Sequence, residues 1–312
     1  MVVQNNPQPL RFSPISGMTI RADFSGGALS SDFGGLVLRP TDQQIGLSQR
    51  IAAAIDDSRH ASYITHSLQD LIAQRTYQTA LGYFDGNDAN ALRTDPILKL
   101  SLGKTPEDND LASAPTLSRF ENAVTKRDIY RVAAAFVDQF VASYDQPPSV
   151  IVLDLDHSED QTHGQQELAC FNGYYNSHCY LPLFIFEGLS GKFVTAALRP
   201  GNTPTGRENA MILKRVLKRL RQAWPETQIV LRGDSHFSNP DLMALKRTAA
   251  KLDFIFGVGG NRKLLGIAQP HMQELRMSYP SRCAHAERNG QPPLANMQFF
   301  HELDYAAGSW PK

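Results

Sequence analysis

An apolar run that stops at a pair of carboxylates constrains this chain more than any other stretch: Ser149 to Asp160 reads SVIVLDLDHSED. Val150, Ile151, Val152 and Leu153 follow a Pro147-Pro148 break, and three of the four are β-branched. The run therefore reads as a buried central strand that delivers acidic residues to its C-terminal end. Strand side chains alternate with a period of two, so Asp154 and Asp156 share one face. Gln228 to Arg232 repeats the pattern and ends in Gly233-Asp234-Ser235-His236. A single aspartate at a strand end is as often only a cap or turn former. Two such strands, however, predict one shared acidic site. Carboxylates brought together raise each other's pKa unless a cation neutralises them, which points to a hard, oxygen-loving ion, Mg²⁺ or Mn²⁺.

The elements around these strands follow from pattern. Leu181 to Phe186 and Lys192 to Leu198 read as strands, and the short Gly-containing joint between them predicts an antiparallel hairpin, because a parallel crossover needs a dozen or more residues. A helix follows from about Gly206 to Trp224. Ile212, Leu213, Val216, Leu217 and Leu220 form its buried face, and Lys214, Arg215, Lys218, Arg219 and Arg221 crowd the other. After the Gln228 strand come a capped helix from about Asn239-Pro240 to Lys251 and a strand from Asp253 to Val258. Strand, hairpin, helix, strand, helix, strand is the ribonuclease-H-like, retroviral-integrase-like layout. The expected fold is thus α/β, with such a core over residues 147–260.

Residues 1–146 read as a mostly helical N-terminal domain, either DNA-binding or structural. Its first 30 residues are rich in Pro, Ser and Gly, and read as a β-like arm or a flexible lead-in. Helical spacing appears over Leu36 to Ile55 and over Ser67 to Tyr83. Ser118 with Glu121 is a capping-box pattern, and the stripe Ile129, Val132, Ala133, Phe136, Val137, Phe140, Val141 and Tyr144 marks a further helix. The four aspartates between Gly82 and Leu100 read as turns and caps. Residues 261–312 carry weak signals, with one apolar patch from Met297 to Leu303.

Composition excludes several classes. At 312 residues and 42% hydrophobic, the chain is neither disordered nor too small for two domains with cores. Its formal net charge is zero, so a polynucleotide partner requires a local basic patch. No apolar run suits a membrane span and no signal-peptide pattern opens the chain, which gives a cytoplasmic expectation. Cys170, Cys179 and Cys283 suit a reducing compartment. Cys170 and Cys179 lie near His157, His163 and His178, but the spacing matches no familiar zinc pattern.

Several blocks, in order, carry a resemblance: SDFGGLVLRPTDQQIGL, GYFDGNDANALRTDP, PTLSRFENAV, VIVLDLDHSEDQTHGQQ, FNGYYNSHCYLPL, LRPGNTPTG, IVLRGDSHFSNPDLM and FIFGVGGN. Together they resemble bacterial insertion-sequence transposases with a DDE active site, in the group named after insertion sequence thirteen-eighty. The resemblance implies that Asp156 is the first catalytic carboxylate, with Asp154 as alternative or assistant, and that Asp234 is the second. The family's usual block has an Asp where His157 stands. The third carboxylate would be a glutamate in a Tyr-x₂-Arg-x₃-Glu-x₆-Lys helix, a stretch this sequence does not contain; Glu287 and Glu302 fit its setting poorly. The expectation is a chain truncated before that glutamate, in the start of a β-rich insertion over 261–312, poorly soluble and impaired in catalysis.

By the same resemblance the partners are double-stranded DNA, as terminal inverted repeats and target, with a homodimer compatible. Two Mg²⁺ or Mn²⁺ ions, about 4 Å apart, would serve strand cleavage and transfer. Asp156 and Asp234 would hold the metal, and Arg207, Lys214, Arg215 and His236 would contact DNA. Two rivals stand beside this reading. One is a non-catalytic remnant that binds DNA and inhibits transposition. The other is a haloacid-dehalogenase-like phosphatase, because Asp154-Leu155-Asp156 resembles that family's D-x-D motif, with Asp154 as nucleophile.

Overall fold

The computed structural model describes residues 9–22, 32–292, 300–308 and 310. The chain is a mixed α/β protein. It opens on a hairpin of β1 (Leu10–Ile15) and β2 (Met18–Ala22), which run antiparallel with Leu10 opposite Ala22. This is the β-like arm the sequence allowed, and the remainder of that lead-in lies outside the described residues. Helices α1 (Leu38–Ile45), α2 (Leu47–Ala53), α3 (Leu68–Ala80), α4 (Ala89–Leu92), α5 (Pro96–Ser101), α6 (Ala114–Ala123) and α7 (Lys126–Ala142) follow. Next come β3 (Val150–His157), β4 (Asp160–Gln161), β5 (Cys170–Asn172), β6 (Ser177–Tyr180), β7 (Leu183–Glu187) and β8 (Phe193–Ala197). The series ends with α8 (Gly206–Ala223), β9 (Gln228–Gly233), α9 (Pro240–Met243), α10 (Leu245–Thr248), β10 (Leu252–Phe256) and α11 (Arg262–Arg288).

Contacts divide the chain into two compact units that interleave in sequence: 1–149 with 185–197 and 216–225, and 150–184 with 198–215 and 226–312. The first unit is built on helices. Leu71, Ala89, Ala112, Ala114 and Leu117 form one buried cluster, and Ala73, Tyr77, Leu98 and Leu111 another. Gln74 is buried, but its amide satisfies both backbone groups of Ala112, at 2.8 and 3.0 Å, so its burial leaves no polar group stranded. Helix α7 buries Val137 and Phe140. Phe140 and Tyr144 meet Trp224 edge-to-face at 5.6 and 5.2 Å between centroids. The Thr195 hydroxyl of β8 donates to the Ala133 carbonyl of α7 at 2.9 Å.

The capping box expected at Ser118 and Glu121 is not one. Both lie inside α6, which starts at Ala114 behind Ser113 with Pro115 in its first turn. Boxes do form at Ser67 with Asp70 on α3, at Thr125 with Asp128 on α7 and at Thr205 with Glu208 on α8. The pattern S/T-x-x-D/E recurs by chance within a polar helix, and the proline two residues into α6 is the stronger start signal.

A five-stranded sheet has the order β10-β9-β3-β7-β8. Strand β9 runs parallel to both β3 and β10, with Val150 opposite Gln228 and Leu252 opposite Ile229. The turn after β7 closes through Glu187 N–H to Lys192 O and Gly191 N–H to Glu187 O, at 2.8 and 2.7 Å, which makes β7 and β8 the expected hairpin. On β3 and β9, Ile151, Leu153, Leu155, Ile229 and Leu231 are all buried, whereas Val150 is 39% exposed and Val152 and Val230 are half-buried. The expected buried strand is therefore buried on one face, and its aspartates belong to the other.

Two elements depart from expectation. A small sheet of order β4-β6-β5 stands between β3 and β7, with Cys170 opposite Cys179 and Asp160 opposite Tyr180. Its strands are two to four residues long, too short for an alternating pattern to register. In place of the start of a β-rich insertion, residues 262–288 form one long helix, α11, despite Pro270 and Pro280 within it. Each proline removes a backbone donor and so argues against a helix from sequence. The start is nevertheless well specified: Asn261 accepts the Leu264 N–H through its side chain at 3.0 Å. The first three residues of the Met297 to Leu303 patch lie outside the described residues.

Candidate active site

The register of the two parallel strands builds the site. Leu155 pairs with Gly233, so Asp156 and Asp234 are the residues that follow this pair, Asp156 still on β3 and Asp234 just past the end of β9. Adjacent strands lie about 5 Å apart. The two carboxylates therefore leave the sheet side by side. Gly233 is required there, because a Cβ on it would stand 2.6 Å from the Phe237 ring. That ring is fully buried and anchors the single turn Ser235–Phe237, for which Asp234 is the N-cap. Asp234 accepts the His236 N–H at 2.9 Å, and its other oxygen meets His236 Nδ1 at 3.0 Å.

Asp154 and Asp156, on the same strand face, have different partners. Asp154 takes a two-pronged ion pair from Arg232, at 2.6 Å for both bonds, across the β3–β9 register. The carboxylate of Asp156 is exposed and accepts no hydrogen bond or ion pair among the described residues.

Asp156 and Asp234 line a cleft of about 110 Å³ together with His157, His236, Asn172, Tyr174, Tyr175, Leu181, Thr203 and Pro204. Asn172 is buried and joins two of the contributing loops: its amide donates to the Gly201 carbonyl at 2.7 Å, and its oxygen accepts the Tyr174 N–H at 3.0 Å. Gly201 sits so close to the Cys179 carbonyl that a Cβ there would lie 2.0 Å from it. His157 is sandwiched against Phe237, with ring centroids 4.9 Å apart, and bonds Asn209 at 3.2 Å. Burial pushes the His157 pKa down to about 4, and the Arg199 guanidinium adds to that, so the ring is neutral near pH 7. Burial raises the Tyr175 phenol, and Tyr174 and Asp156 nearby contribute.

Of the predicted site residues, Asp156, Asp234 and His236 meet in this cleft. Arg207, Lys214 and Arg215 are exposed on α8 and do not line it. Two members of the helix's basic face have partners: Arg219 is paired with Asp138, and Arg221 donates to the Trp224 carbonyl at 3.2 Å. Cys170, Cys179 and the neighbouring histidines form no metal-type cluster among the described residues. Sequence reasoning named neither Asn172, Tyr174 and Tyr175 nor Thr203 as site residues. The signal that could have found them was block order, since FNGYYNSHCYLPL and LRPGNTPTG both converge on the cleft.

The donor set suits a hard cation. Among the described residues the cleft offers two adjacent carboxylates and no thiol, and one of those carboxylates is uncommitted. Among the described residues lining it, Asp156 and Asp234 are the only carboxylates.

Two carboxylates at the ends of neighbouring parallel strands define an α/β protein with an acidic cleft at its sheet's C-terminal edge. Residues 12–312 match the family described as Transposase DDE domain group 1, and the chain belongs to that family. Membership of a transposase family decides against the phosphatase reading. The piggyBac transposase synaptic complex with hairpin DNA, solved by cryo-EM, is similar over 75% of this chain and 52% of that one, at 16% identity and a TM-score of 0.34. The chain thus spans about half the length of that transposase. The Mos1 strand transfer complex is similar over 79% and 85% of the two chains, at 10% identity and a TM-score of 0.25. No curated protein matches the chain. No helix among the described residues is long and apolar enough to cross a membrane.

Proposed function

We propose that this chain carries the ribonuclease-H-like core of a cytoplasmic DNA transposase, in which Asp156 and Asp234 hold a divalent cation, Mg²⁺ or Mn²⁺, at a phosphodiester. The observation that carries the reading is the register of β3 and β9, which sets these two aspartates side by side. The ion, when bound, would supply charge stabilisation and a nucleophile for in-line attack on phosphorus. Asp154 is a positioning residue here: its ion pair with Arg232 neutralises both groups and stiffens the strands beneath the cleft. His157, neutral and stacked on Phe237, closes one wall of the cleft without adding charge. Strand β3 between β7 and β9 supports the ribonuclease-H-like assignment, since that layout places the first acidic strand centrally.

DNA would lie along α8, where Arg207 and Lys214, seven residues apart, fall on one face about 10 Å from each other. His236, exposed beside Asp234, would reach a phosphate at the cleft. A homodimer on paired terminal repeats fits the chemistry of joining two element ends. The test is Mn²⁺ binding followed by cleavage of DNA bearing the terminal repeats of the source element. Asp156→Asn and Asp234→Asn should each abolish both, and Asp154→Asn should keep Mn²⁺ binding. If Asp154→Asn alone abolished binding, the assignment would fall.

The absence of a third carboxylate from the described cleft lining favours a second reading, a DNA-binding form that occupies element ends without cutting them. It predicts end-specific gel shifts with no metal-dependent cleavage. Equal affinity for terminal repeats and random duplex would remove it.

A further inference from the structure

We infer that His271, Glu274 and His301 form a second cation site, for a zinc-class transition metal, that clasps residues 300–308 to α11. His271 and Glu274 are three residues apart on α11 and so project from one helix face. Their ligand atoms and one from His301 all lie within 4.8 Å of one another. The two imidazole rings stack with centroids 4.0 Å apart and 29° between planes.

A separate set of contacts brings His301 to this place. The Tyr305 hydroxyl accepts from Asn261 Nδ2 at 2.8 Å, the Lys263 ammonium lies 5.8 Å from the Tyr305 ring centroid, and Trp310 packs edge-on against that ring at 5.6 Å. The segment therefore runs back along the helix from His271 toward its N-cap, and the triad does not depend on one chance approach.

The donor chemistry separates this site from the acidic cleft. Two imidazoles and one carboxylate suit Zn²⁺ and its neighbours, whereas Mg²⁺ prefers oxygen alone. Zinc would draw the donors to about 2.0–2.2 Å from itself and leave a fourth position to water, which is accessible because Glu274 and His301 are exposed. Helix α11 has a use for such a clasp. Ala286 is its only buried residue among those described, and Pro270 and Pro280 interrupt its hydrogen bonding. A helix held so weakly by packing gains from a cross-link outside its own backbone.

The experiment uses the full chain carrying Asp156→Asn and Asp234→Asn, so that the acidic cleft is silent. Zinc content is measured after dialysis, and Co²⁺ is used as a spectroscopic probe of nitrogen ligation. One equivalent of zinc and a Co²⁺ visible spectrum are expected, both lost in His271→Gln and His301→Gln. Glu274→Gln, on an exposed side chain, should weaken zinc binding with unchanged far-UV circular dichroism. No bound zinc in the silenced chain, or binding unchanged in all three variants, overturns the site.

Discussion

Arg232 separates two aspartates that the strand period sets on one face. It engages Asp154 with both prongs, whereas Asp156 has no hydrogen-bond or ion-pair partner among the described residues. The Asp154 and Arg232 side chains are 35% and 49% exposed, so the pair is worth no more than about 1 kcal/mol. Asp154→Asn should therefore lower the melting temperature only slightly, whereas Asp156→Asn should leave it unchanged or raised in the absence of metal, because a carboxylate beside Asp234 is removed. Thermal melts of both variants in chelator read this directly. The two-residue strand period was enough to place Asp154 and Asp156 on one face. Their different partners needed the register, since Arg232 becomes the neighbour of Asp154 only when Val150 pairs with Gln228.

Among the elements, the helices are the best specified by local chemistry. Thr125 accepts the Asp128 N–H at 3.2 Å, while the Asp128 carboxylate receives both the N–H and the hydroxyl of Thr125. These bonds, with Arg131 and the Asp56 N–H, hold the Asp128 carboxyl well below its usual range. Thr205 and Glu208 repeat the arrangement on α8, and the Thr205 N–H is the largest reason the Glu208 pKa is lowered. Thr125→Ala and Thr205→Ala should each cost about 1 kcal/mol in denaturant unfolding at pH 7.

A depressed folded-state pKa contributes stability that is complete above the unfolded value and is lost as pH falls through the folded one. Both boxes therefore predict an acid-side loss of stability below about pH 4.5, and Glu208→Gln should flatten it. Long periodic elements such as α7 and α8 were legible because their apolar residues recur at helical spacing. The β4, β5 and β6 strands were too short to register, and α11 was hidden by its prolines.

For the molecule as a whole, ligand linkage gives the broadest check on the acidic cleft. A cation bound only by the folded chain stabilises it by about 2.7 kcal/mol at a hundred times its dissociation constant. Mn²⁺ should therefore raise the melting temperature of the chain and of Asp154→Asn, but not of Asp156→Asn or Asp234→Asn. A rise retained in Asp156→Asn would place the ion elsewhere.

The pairing of β3 with β9 also governs when the cleft can exist. Asp154 and Arg232 are 78 residues apart in sequence, and the strands that carry them are parallel, so no local hairpin can bring them together. A chain emerging from the ribosome N-terminus first would have its helical region and β3 exposed well before β9 is synthesised. The two carboxylates become neighbours only once that long loop has closed. Assembly of the acidic pair is thus a late event in the life of each molecule, and an interrupted translation product has no means of making it.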